Sequence, residues 1–170
     1  MKFNEFDLEE AIWQDYKTTG GEQTALSCLM LGSIMKRQLR IGNYGVADLV
    51  GFDIDIAPNG KVGISATVYE LKRGCIDIKA LLQSCRYAAG LKHLVNIKFI
   101  NINIVLIGSS IDMSSEFVYL LDRLNNVDLY IAHLSMSGIE FEYVNTNFGL
   151  VDKGDMNPPL SFSEIKSILK

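Results

Sequence analysis

Asp48, Glu70 and Lys72 are the residues of this chain whose types and spacing point most directly to chemistry. Side chains alternate between the two faces of an extended strand. Within Val68-Tyr69-Glu70-Leu71-Lys72, Glu70 and Lys72 therefore share a face with Val62, Ile64, Ala66 and Val68. Asp48 shares one with Val46, Val50, Phe52, Ile54 and Ile56. A carboxylate on an apolar face is costly unless it is paired or binds a cation. Two carboxylates and an ammonium in such positions predict a metal site. Magnesium, or manganese in its place, takes oxygen ligands and keeps several waters. Asp48 and Glu70 are the expected carboxylate ligands, and the Leu71 carbonyl is the expected third. Lys72 is placed to orient or deprotonate a water and to neutralise charge on a phosphate. Hydrolysis of a phosphodiester needs these functions together with a divalent ion.

The elements that must position these groups are legible as patterns. Phe6, Leu8, Ala11, Ile12 and Trp13 predict a helix over residues 5–16, broken by Gly20-Gly21. Leu26, Leu29, Met30 and Ile34 predict a second, centrally packed helix over 22–39. Pro58-Asn59-Gly60 is a turn signal between strands at 45–56 and 61–72, which makes a hairpin. Asp53 and Asp55 fall on the opposite face from Phe52 and Ile54 and are expected in solvent. Asp77 is a candidate N-cap for a helix over 78–94, whose apolar stripe would include Leu81, Leu82, Cys85, Ala88 and Ala89. A central strand is expected over 97–107, a helix over 114–125, and strands over 127–134 and 139–144. A loop at 155–159 precedes a short last helix with a capping box at Ser161 and Glu164. This order gives an α/β fold, a mixed sheet with helices packed on it.

The chain has 170 residues, 48% apolar and 21% charged, as expected of one folded domain spanning 1–170. The polar, acidic amino terminus does not read as a signal peptide, and no apolar run is long enough to span a bilayer. Cys28, Cys75 and Cys85 form no close pair, so neither a disulfide framework nor a zinc site is expected, and the compartment reads as cytoplasmic. The net charge of −4 argues against a general nucleic-acid coat protein. Positive charge is nevertheless concentrated locally. Lys36, Arg37 and Arg40 precede the Asp48 strand, and Lys72, Arg73, Lys79, Arg86 and Lys92 follow the Glu70 strand.

Asp48 followed by Glu70-x-Lys72 on the next strand resembles the motif of the PD-(D/E)xK nuclease superfamily, with its restriction-endonuclease-like fold. Gln83-Ser84-Cys85-Arg86-Tyr87 on the following helix is similar to the QxxxY element of the exonuclease-like branch, and its two ends lie four residues apart on one helical face. Ala47 stands where the name-giving proline would be. The resemblance covers roughly residues 22–91. It implies a magnesium- or manganese-dependent deoxyribonuclease in which Asp48 and Glu70 bind metal, Lys72 serves water and phosphate, and Gln83 and Tyr87 support them. It further implies that Glu22 matches the acidic residue of the first core helix, although a first-turn glutamate also complements the helix dipole. DNA is the expected substrate, RNA uses the same residues, and a homodimer would place two sites on two strands. A catalytically inactive protein of this fold, acting as a nucleic-acid-binding or inhibitory subunit, is the competing reading. Three cysteines do not match the four of relatives that carry an iron–sulfur cluster.

Overall fold

Asn4 starts the first helix by a reciprocal cap: its side chain accepts from the Asp7 N–H at 2.9 Å, while Asp7 accepts from the Asn4 N–H at 2.8 Å. The computed structural model describes residues 4–20, 29–56, 60, 62–94, 99–136 and 138–144. Helix α1 spans Glu5–Thr19, one turn beyond its expected end, and stops where Gly20 takes a left-handed φ of 67°.

The expected second helix is overturned throughout its described part, residues 29–39, where 29–33 are irregular and the rest is strand. Residues Ile34–Arg40 form strand β1, antiparallel to β2 (Val46–Ile56). The apolar run before it has no clean period, so helix and strand compete. The phase of burial decides the point: Ile34, which a helix would bury, is 54% exposed, and Met35 is 3% exposed. Residues 21–28, Glu22 and Cys28 among them, lie outside the described residues, as do Pro58 and Asn59 of the turn and the last loop and helix.

A 3-10 turn at Gly42–Tyr44 joins β1 to β2, and β2 forms the expected hairpin with β3 (Val62–Leu71). Next come β4 (Cys75–Ile76), helix α2 (Ile78–Leu94), β5 (Phe99–Gly108), β6 (Ser110–Ile111), helix α3 (Ser115–Asp122), β7 (Val127–Ser135) and β8 (Gly138–Val144). Asp77 accepts from the Ala80 N–H at 2.9 Å and so opens α2. The large sheet has the order β1-β2-β3-β5-β7-β8, with β3, β5 and β7 parallel and the other pairs antiparallel. Strands β4 and β6 pair separately.

Helices α2 and α3 each connect neighbouring parallel strands and step across the sheet in one direction. Crossovers of a single hand then place both on the same face, where Leu81, Leu91, Phe117 and Leu121 pack on Val50, Val68, Ile104 and Leu129. Helix α1 covers the other face through Leu8 and Ile12, over Leu49, Tyr69, Leu71 and Ile107. The result is the expected α/β arrangement, a mixed sheet with helices packed on both faces. The helix faces depart from expectation at Phe6, Leu82 and Ala89, which are exposed. Beyond the reach of α2 the far end of the hairpin is also bare, with Ile54, Ile56 and Val62 exposed despite their apolar phase.

One contact makes a glycine obligatory. A Cβ on Gly32 would sit 2.7 Å from the Phe52 nitrogen and 2.8 Å from the Gly51 Cα. Both obstacles are backbone and cannot rotate away. Gly32→Ala should therefore cost about 1–3 kcal/mol of folding stability, read as a lower midpoint in chemical denaturation.

Candidate functional site

Strands β2 and β3 pair in register from Ile56 opposite Val62 to Leu49 opposite Tyr69. The next facing positions are Asp48 and Glu70, and there the strands part. Instead of continuing the ladder, the Leu71 N–H donates to Asp48 Oδ2 at 2.9 Å. Asp48 is irregular on its other flank too. Between the pairs Arg37–Leu49 and Leu39–Ala47, Gln38 turns to φ 47°, an uncommon conformation for a side-chain-bearing residue. Its amide reaches Glu9 of α1. Asp48 therefore occupies a gap opened in the sheet on both sides.

Glu70 is 1% exposed, and Lys72 Nζ meets its Oε1 at 2.6 Å. Its other oxygen, Oε2, is buried without a hydrogen-bond partner. Burial is the main force on Glu70: desolvation raises its pKa, the Lys72 ammonium opposes this, and the nearby Asp48 charge adds to the rise, to about 7. Asp48 is raised as well, by burial first, against the pull of the Leu71 N–H and Lys72. Desolvation draws Lys72 down, but its bond to Glu70 and the surrounding carboxylates outweigh that and hold its pKa up. Lys72 is accordingly an ammonium here, suited to orienting water and neutralising phosphate rather than to removing a proton. Leu71, fully buried on the α1 side of the sheet, leaves its neighbours Glu70 and Lys72 to the other face.

This group of atoms suits a hard divalent cation. An orphaned buried carboxylate oxygen, beside a second carboxylate whose charge it resists, is a deficit that such an ion relieves. Among the described residues no three His, Cys, Asp or Glu side chains converge for metal binding. Two carboxylates would need the Leu71 carbonyl and waters to complete a shell, which matches the habit of magnesium.

No family model matches the chain, and no curated protein does. Among solved structures it is similar to a crystal structure of a repair endonuclease from Pyrococcus abyssi, with 20% identity and a TM-score of 0.46. The match covers 76% of this chain and 46% of that one, so the chain spans under half the length of that structure. Similarity at this level carries no activity from one chain to the other.

Gln83 and Tyr87 meet each other, Gln83 Nε2 donating to the Tyr87 hydroxyl at 2.9 Å. Tyr87 is buried and its ring packs against Gly45, three residues before Asp48. The helix thus joins the start of β2, not the carboxylates directly.

The structure adds two acids that the sequence reading passed over, Glu5 and Glu9 of α1. Glu9 is buried and held by Arg37 at 2.7 Å and by Gln38, and Glu5 accepts from the Arg73 N–H at 3.3 Å. Both raise the pKa of Asp48 through space. The available signal was spacing: Glu5, Glu9, Ile12 and Tyr16 form one helical stripe, so an acid lay in line with a core isoleucine. Asp53 also departs from its expected solvent role. It is half-buried and accepts from the Ser33 N–H at 2.7 Å and hydroxyl at 2.6 Å, tying the segment before β1 to β2.

Proposed function

We propose that the protein is a divalent-metal-dependent nuclease of the PD-(D/E)xK type that hydrolyses phosphodiester bonds in DNA. The observation that carries this reading is the orphaned Glu70 Oε2, buried beside Asp48 with an ammonium already on the other oxygen. A fold that needed only an ion pair would not bury a second, unpaired acceptor there.

Asp48, Glu70 and the Leu71 carbonyl would hold magnesium or manganese. When bound, the ion supplies polarisation of a phosphoryl oxygen and acidification of a water. The residues of the chain do the rest. Lys72 keeps its proton and faces the phosphate, offsetting charge that builds on its oxygens. The Leu71 N–H fixes one oxygen of Asp48, and the other would serve the ion. Gln83 and Tyr87 brace the start of β2, and with it the position of Asp48.

The decisive experiment incubates purified protein with linear, nicked, branched and single-stranded DNA, and with RNA, in magnesium, manganese or chelator. Metal-dependent cleavage of DNA is expected. Cleavage that persists in chelator would remove the metal mechanism, and no cleavage of any substrate would favour a binding or inhibitory protein of the same fold.

A further inference from the structure

Helix α2 carries Lys79, Arg86, Lys92 and His93 and no Asp or Glu, in a chain whose acidic residues outnumber its basic ones. Lys79, Gln83, Arg86, Gly90 and His93 recur at three- and four-residue spacing and form one stripe along the helix. Lys79, Arg86 and His93 are exposed. Basic residues in the last turn complement the helix dipole, but Lys79 sits in the first turn, where that effect is unfavourable. Stability of the helix does not account for it.

The stripe has an aromatic end. Gly90 lets the 3-10 turn lie directly on the helix, since a Cβ there would come 2.6 Å from the Tyr44 ring and 2.7 Å from Ile41. Tyr44 lies nearly parallel to the exposed His93 imidazole, with 6° between the planes and 6.2 Å between centroids. Arg86 lies between Lys79 and His93 along the stripe, over the Tyr87 ring at 5.6 Å. The stripe spans about 20 Å at roughly 1.5 Å per residue. Its Lys79 end follows β3 and β4, which lead out from Glu70 and Lys72.

We infer that this stripe is a track for single-stranded nucleic acid, with Lys79 and Arg86 on phosphates and the Tyr44–His93 stack receiving an unpaired base. The inference rests on the proposed function for its direction, from the acidic group toward Tyr44. Single strands are favoured over duplex because an aromatic stack accepts a base face, which a duplex keeps covered.

Binding is measured by fluorescence anisotropy in chelator, with short dye-labelled single-stranded DNA, single-stranded RNA and duplex DNA as probes. The wild-type chain is expected to bind a single strand more tightly than the duplex. Lys79→Gln with Arg86→Gln should flatten the slope of log affinity against log salt by about 1.4. His93→Ala should weaken single-strand binding about tenfold, and His93→Tyr should restore it. Lys17→Gln, an exposed charge on α1, should change nothing. Equal or tighter duplex binding, no binding, or variants that bind as the wild type would overturn the track. A chain that binds through the stripe yet cuts nothing would keep this inference and remove the nuclease reading. Metal-dependent cutting with unaffected variants would do the reverse.

Discussion

Glu70→Gln should make the metal-free protein more stable above neutral pH while removing its response to divalent cations. The folded pKa of Glu70 is near 7, against an ordinary value of 4.5. The native state therefore binds this proton more tightly than the unfolded chain does. Its favourable contribution is full below about pH 4.5 and is lost as pH rises through 7. The loss amounts to on the order of 3 kcal/mol once both states are ionised, and the rise at Asp48 acts in the same direction. Glutamine imitates the neutral carboxyl, so it should recover most of that loss at pH 8 and little at pH 5. For a domain of this size the gain corresponds to a melting temperature higher by roughly 6–12 °C. Magnesium or manganese should stabilise the unsubstituted chain more at pH 8 than at pH 6, because protons compete for the same oxygens. Thermal melts across pH, with and without the ion, check each part. A Glu70→Gln chain that melts lower than the parent at pH 8 would show that the Lys72 pair outweighs the cost of burial.

That cost explains how much of the site was visible in the sequence. Strand phase alone set Asp48 and Glu70 on an apolar face, and the paired register of the two strands ends one position short of them, at Leu49 opposite Tyr69. Phase could not show that the strands separate there, since the separation depends on Gln38 leaving the ladder and on Leu71 turning its N–H to a side chain. Those are tertiary events without a local signature. Helix α2 was legible in its approximate extent, because Asp77 caps it and most of its apolar residues repeat at helical spacing. The residues of β1 were misread as helix because the apolar run leading into them suits either element, and only pairing with β2 chooses the strand. Glu5 and Glu9 were passed over for a different reason. An acid in an amphipathic helix ordinarily faces water, and the partners these two find, the Arg73 N–H for Glu5 and Arg37 and Gln38 for Glu9, are set by where α1 docks on the sheet.

Asp48→Asn and Asp48→Ala should separate the structural duty of this residue from its charge. The side chain accepts the Leu71 N–H at 2.9 Å, and asparagine retains an oxygen for that bond. Alanine leaves the N–H without its partner in a gap of the sheet, at a cost of about 1–3 kcal/mol. Stability should therefore be kept or slightly raised in the asparagine variant, since burial already disfavours the Asp48 charge, and lowered in the alanine variant. Activity should not follow stability. Both substitutions remove one of two carboxylates from the proposed ion site, and the loss of such an electrostatic contribution is worth at least ~100-fold in rate. Lys72→Ala should likewise reduce cleavage by about 100-fold, yet leave divalent-cation stabilisation in place, because it removes the ammonium and spares the oxygens. Paired melting and cleavage measurements on the three variants resolve these effects. An Asp48→Asn chain with full activity would mean that its carboxylate serves the fold alone, and the two-carboxylate site would have to be abandoned.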